Sequence, residues 1–327
     1  MLVSGDDFNF DGGLASVSSL TLDIGSSLNI ASGRLTNAGT LAVNGGATLG
    51  ISGGELDNGG DTNFDGTFVM SSGVATYRGN SLFNGSYTNN GGDATFTGTA
   101  AFNGPNTHGG GTTTFSSTSS FTGATLISGG TLTFNAVGTM LNLNNTWSGG
   151  TIAGAAGPNL VLGVVPGDTT LAVVGAGAKT LDTITLDMNE NDINMSGSGN
   201  LILANAATID NTDGTSFNHS GNGGLTGTGT FDNTNGRFNK LSGSALIAPT
   251  VNFINTGTSL VNVAGGALTF GAGGVDAGNY NVGGNGTLAF INGRDLAAGS
   301  TLDLAGSLVV GNGTIPTTLT LPGTLNN

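Results

Sequence analysis

Apolar residues recur along the chain in pairs separated by one residue, Φ-x-Φ, as in Leu20-x-Leu22, Leu28-x-Ile30, Leu268-x-Phe270 and Leu302-x-Leu304. Gly, Asn or Ser usually follows within a few positions. Alternation at period two turns one face of a strand inward and the other outward. Gly and Asn supply the restricted backbone conformations that tight turns need. Runs of helix formers long enough for a capped helix are missing, so the pattern predicts an all-β chain of mini-strands.

The mini-strands repeat. Cut every nineteen residues from 61, the chain reads DTNFDGTFVMSSGVATYRG, NSLFNGSYTNNGGDATFTG, TAAFNGPNTHGGGTTTFSS and TSSFTGATLISGGTLTFNA. Phe64, Phe83, Phe102 and Phe121 fall in one column, and Tyr77, Phe96, Phe115 and Phe134 in another. Gly66, Gly85, Gly104 and Gly123 follow the first column; Gly73, Gly92, Gly111 and Gly130 precede the second. Upstream the period is twenty-one, pairing Leu20 with Leu41, Leu22 with Val43, Leu28 with Leu49, Ile30 with Ile51 and Leu35 with Leu56.

Such repetition predicts a parallel β-solenoid with three short strands per coil of about 19–21 residues, stacked about 4.8 Å apart with aromatic ladders inside. The single solenoid over 1–327 divides into coils of period 21 (1–60), coils of period 19 with aromatic ladders (61–136), irregular coils with longer loops (137–215) and regular repeats (216–327). The idiom runs on into TLTLPGTLNN, as expected of a fragment of a longer chain.

Composition narrows the classes. Of 327 residues, 62 are Gly, 16 Phe and none Cys, while 8% are charged and the net charge is −14. Low hydrophobicity marks disordered chains, whereas here 37% of residues are apolar and recur in register. Arg34, Arg78, Lys179, Arg237, Lys240 and Arg294 are scattered singly, so nucleic acid is not an expected partner. The first twenty residues lack a basic segment followed by an apolar run, so no signal peptide is expected there. The most apolar stretch, from Leu160 to Ala178, is interrupted by Pro166, Gly167 and Asp168, and membrane insertion is not expected.

The segments TGTGTFDNTNGRFNKLSGS and FINTGTSLVNVAGGALTF resemble the β-strand repeats of large bacterial surface proteins, the autotransporter passengers and filamentous-haemagglutinin-like adhesins. The likeness covers 216–327 and, more loosely, the rest. It implies a right-handed parallel β-helix displayed at the bacterial cell surface or in the extracellular matrix, serving as stalk, adhesin or fibre.

Candidate chemistry is sparse. D-x-N-x-D-G occurs twice, as Asp7, Asn9, Asp11, Gly12 and as Asp61, Asn63, Asp65, Gly66. It matches the opening of a calcium loop, where alternating oxygens converge on a hard cation. The twelfth position, normally Glu, is Ser18 or Ser72. In the aligned repeats Asp61 becomes Asn80, Thr99 and Thr118, which favours turn chemistry over calcium. Asp187, Glu190 and Asp192 in DMNEND have the residue types of a glycosidase or lyase site but read as a solvated loop. VVGAGAKT (173–180) has Ala178 where a phosphate loop needs Gly. The two histidines, His108 and His219, propose no triad, and His108 reads as a variable strand or corner position. Thr76, Thr95, Thr114 and Thr133, widened by Thr112 and Thr131, form ranks of the kind that would suit an ice surface, although Thr is also a good outward strand residue.

The expected function is therefore a non-catalytic extracellular rod acting by multivalent contacts. A β-helix lyase or glycoside hydrolase is the alternative, and an ice-binding solenoid a minor one. No cofactor is expected beyond calcium. Expected partners are further copies or repeats of the same chain and cell-surface glycans, with Tyr87 and Trp147 as aromatic contact candidates. Open solenoid ends predict end-to-end stacking or flanking domains.

Overall fold

The computed structural model describes residues 1–311, 319–320 and 324–326, apart from 143, 156, 158 and 164–168. Pro166, Gly167 and Asp168, the interruption in the apolar stretch, lie outside them. The described chain is all β, without helix, and its parallel strands stack coil on coil as a β-solenoid. It divides into two compact units, Met1–Leu160 and Val161–Asn327.

In the first unit each coil opens with a three-residue strand, such as Leu20–Leu22, Leu41–Val43, Thr62–Phe64, Ser81–Phe83, Ala100–Phe102 and Ser119–Phe121, stacked as one parallel sheet. The second and third strands of a coil often run on as one element, as in Ser27–Asn37, Thr48–Asn58 and Thr67–Tyr77, bent by a register shift at a glycine corner. Further along they separate, as Thr125–Ile127 and Thr131–Phe134. Two glycine columns act for different reasons. Gly73, Gly111 and Gly130 adopt positive φ (91°, 63° and 66°), which bends the chain in a way that side-chain-bearing residues resist. Gly85, Gly104 and Gly123 lack positive φ, but a Cβ at any of them would overlap the backbone carbonyl of the glycine one coil before.

The change of period has a definite place. Leu41 pairs with Thr62, an offset of 21, whereas Thr48 pairs with Thr67, an offset of 19. Two residues are lost between first and second strands, where the four-residue turn Asn44–Ala47 is followed one coil later by Asp65–Gly66.

From there the core becomes aromatic. Phe64, Phe83, Phe102 and Phe121 stack with centroids 4.7, 4.9 and 5.0 Å apart and planes within 8°. Tyr77, Phe96, Phe115 and Phe134 stack beside them at 4.8, 5.2 and 5.4 Å. The two ladders meet edge to face, as Phe102 does on Phe115 at 5.7 Å and 82°. Offset stacks within a column and edge contacts between columns satisfy the ring quadrupole in both directions.

The second unit uses the same plan with looser coils. Register offsets run from 19 residues (Leu260 to Asn279) to 25 (Arg294 to Leu319), beyond the 19–21 expected. Extra residues sit in corners, several in left-handed conformation: Asn189, Glu190, Asn205, Ala206, Asp213 and Asn235. The first-strand sheet of Thr185–Asp187, Thr208–Asp210, Thr230–Asp232 and Asn252–Ile254 stops there, and Gly274–Asp276, Arg294–Leu296 and Leu319–Thr320 form a separate sheet. Arg294 fills the break. Its guanidinium is buried, paired with Asp276, bonded to the Phe253 carbonyl at 3.3 Å and set 4.7 Å from the centre of the Phe270 ring.

Candidate functional site

The two D-x-N-x-D-G copies take different positions. Asp7, Asn9 and Asp11 alternate along the exposed strand Asp7–Val17. Each is bonded sideways to the next coil: Ser27 donates to Asp7 at 2.5 Å, Asn29 to Asn9 at 2.9 Å and Ser32 to Asp11 at 2.9 Å. Asp61, Asn63 and Asp65 flank and enter Thr62–Phe64. The Asn80 amide donates to Asp61 at 2.9 Å and the Asn84 side chain to Asp65 at 2.8 Å. The series continues as Thr99 onto Asn80 and as Asn103 onto Asn84. Alternate residues of an extended strand stand roughly 6.5–7 Å apart, whereas calcium ligands must converge to about 2.4 Å from one ion. The strand-borne triplet Asp7, Asn9 and Asp11 therefore does not fit a calcium loop, and the oxygens of Asp7, Asn9, Asp11, Asp61 and Asp65 serve the coil-to-coil ladder.

The acidic segment at 187–192 is split by the fold. Asp187 ends Thr185–Asp187 and Glu190 lies in the left-handed turn after it, while Asp192 opens the next strand, exposed on its outer face. Asp187 and Glu190 line a polar cleft of about 260 Å³ with Asn189, Asp210, Thr212 and Asp213. Asp187, Asp210 and Asp232 are in register on successive coils. Burial, and then the charges of Asp187, Asp232 and Asp213, push the Asp210 carboxyl above the usual range. Two of the stacked aspartates also organise their own turns: the Asn189 amide donates to Asp187 at 3.0 Å, and the Thr234 amide and hydroxyl donate to Asp232 at 3.0 and 2.7 Å. Asp210, Asp213 and Asp232 were not anticipated. The signal that finds them is the repeated Thr-Φ-Asp of 185–187, 208–210 and 230–232, visible once the coils are aligned at their true, unequal lengths. The cleft can hold a proton or attract a cation; no basic residue is among its lining residues.

Outward faces carry ranks. In the first unit Thr76, Thr95, Thr114 and Thr133 are in register and half-buried, beside Thr112, Thr131 and Thr151. The double rank spans only two coils, bounded by Asp93 on one side and Ala153 on the other. A longer rank, unforeseen from the repeats, lies on the second strands of the second unit. Asn194, Asn218, Asn239, Asn262, Asn281, Asp303 and Asn326 align coil after coil. Their amides donate one to the next, from Asn218 to Asn194 at 3.0 Å, Asn239 to Asn218 at 2.9 Å and Asn281 to Asn262 at 2.8 Å.

The basic residues are mostly occupied. Lys179, Lys240 and Arg294 are buried. Lys179 of the phosphate-loop lookalike opens a strand and donates to the Gly175 carbonyl at 3.1 Å. Arg34 and Arg78 converge on Asp57 at 2.6 and 2.8 Å, and the Arg78 guanidinium foremost holds that carboxyl below its usual range. Tyr87 and Trp147, expected as glycan contacts, are instead buried, because each occupies an inward position of its strand. His108, read as a variable strand or corner position, is an inward residue of the strand Asn106–Phe115. No known protein family matches the chain, and no curated protein or solved structure matches it.

Proposed function

We propose that this chain is a non-catalytic extracellular scaffold, structural or adhesive, acting through many equivalent weak contacts along its faces. The observation that carries this reading is the asparagine rank. Asn is a poor outward strand residue on propensity alone, yet it holds one column through five consecutive coils, Asn194 to Asn281. The interior amides Asn218, Asn239 and Asn262 each use one N–H and one oxygen lone pair in the ladder, and the second lone pair of each amide oxygen is left for a partner. A partner with repeating hydroxyls, such as a polysaccharide, meets the same contact at every coil, and avidity replaces a deep pocket. The likeness of 216–327 to bacterial surface repeats supports the extracellular setting.

The test is a binding screen of the full chain on immobilised neutral and acidic polysaccharides, run beside a depolymerisation assay on the same glycans. Binding without turnover is expected, weakened more than tenfold when Asn218, Asn239 and Asn262 are together changed to Ser. Binding unaffected by that triple change would overturn the assignment of the face. Depolymerisation abolished by Asp187→Ala would overturn the non-catalytic reading.

A further inference from the structure

The inward column at the end of the second strands in the second unit runs Met195, His219, Lys240, Val263. Lys240 and His219 are fully buried there. The three protons of the Lys240 ammonium meet three acceptors: His219 Nδ1 at 3.0 Å, the Gly221 carbonyl at 2.8 Å and the Ser242 carbonyl. Nδ1 must then be unprotonated, so Nε2 carries the hydrogen and donates to the Gly223 carbonyl at 2.7 Å. One pair of side chains thus ties down the corner between second and third strands on two successive coils, at 219–223 and 240–242.

We propose that the Lys240–His219 contact is an acid-sensitive latch on this corner, closed while the imidazole is neutral and released when Nδ1 takes up a proton. A proton on Nδ1 would face the ammonium donor at hydrogen-bond distance and turn its acceptor into a second cation. Among the described residues no carboxylate faces the pair to compensate. The strand below presents Met195, the strand above presents Val263, and across the core the third strands present Leu225, Ala245 and Ile247. Asp192 and Arg237 belong to the same second strands but face outward. Lys179 is spent on the Gly175 carbonyl.

The titration limits agree with this geometry. Burial first, and the Lys240 charge next, lower the His219 pKa to about 4. Burial lowers that of Lys240 to about 8. Between those values the imidazole is neutral and the amine charged, which is the latched state.

The experiment uses the full chain. The imidazole of His219 is titrated by nitrogen and carbon NMR from pH 7 to 3, and amide exchange is followed over the same range after correction for its intrinsic pH dependence. The latch predicts that amides at 220–224 and 241–244 lose at least tenfold protection as His219 protonates, while those at 27–58 do not. In His219→Met, which extends the Met195 column, that step should vanish. Should this variant fail to fold, Lys240→Met serves instead: with the ammonium gone, His219 should titrate at higher pH. Loss of protection at 220–224 that persists in His219→Met, protection kept in the wild type through His219 protonation, or an unshifted His219 in Lys240→Met would each overturn the proposal.

Discussion

His108 stands in the column Met70, Asn89, His108, Ile127, and among the described residues neither of its ring nitrogens has a hydrogen-bond partner. Burial alone pushes its pKa down to about 3. The native chain therefore binds a proton here less readily than the unfolded chain does. Stability is complete above the ordinary value near 6.5 and is lost as pH falls from there toward 3, on the order of 4–5 kcal/mol in all. Replacing His108 with Leu removes two unsatisfied buried nitrogens, each costing about 1–3 kcal/mol. Urea denaturation should show the variant more stable than wild type at pH 7, with the gap widening at pH 4. Asp210 has the opposite linkage. Its carboxyl is raised, so the native chain holds that proton more tightly and stability falls as pH rises through the carboxylate range. Asp210→Asn should raise the melting temperature at pH 7, and the advantage should shrink as the medium is acidified below the carboxylate range. Neither environment is legible in the sequence. A histidine in a repeat column looks like drift until the inward face is known, and the neighbours of Asp210 come from coils of unequal length.

Among the elements, the break between Asn252–Ile254 and Gly274–Asp276 shows how a solenoid changes sheets. Asp276 accepts from Arg294 at 2.7 Å and from the Tyr280 hydroxyl at 2.6 Å, and both Asp276 and Arg294 are buried. Such a pair adds little over a well-packed apolar trio, but breaking it leaves a bare charge inside. Asp276→Ala should cost about 3–5 kcal/mol by chemical denaturation. The joint replacement Asp276→Leu, Arg294→Met and Tyr280→Phe should recover most of that loss. A triple variant no better than Asp276→Ala would show that the cluster is needed to place the sheet switch. Period and aromatic columns over 61–136 were readable because each coil there contributes the same residue type at the same offset. Arg294 was not, since one isolated arginine carries no repeat to align.

At the scale of the whole chain, stability is carried from coil to coil. Phe102 shows the unit of that coupling, stacked on Phe83 at 4.9 Å and on Phe121 at 5.0 Å. Phe102→Ala should cost about 3–5 kcal/mol, and hydrogen exchange should rise together at 81–96 and 119–134 if coupling is mainly nearest-neighbour. Exchange raised only at 100–104 would contradict it. What the sequence determined by itself was the β-solenoid: a strict two-residue alternation, a repeat of about twenty and glycine at fixed offsets leave few other ways to bury the apolar positions. It also placed the Phe columns and the change of period, because identical neighbours one coil apart form a one-dimensional pattern. Tertiary structure alone decided which polar residues went inside, which carboxylates met and where the sheet broke. Those outcomes depend on coil lengths that vary from 19 to 25 residues, so each contact joins positions with no constant spacing.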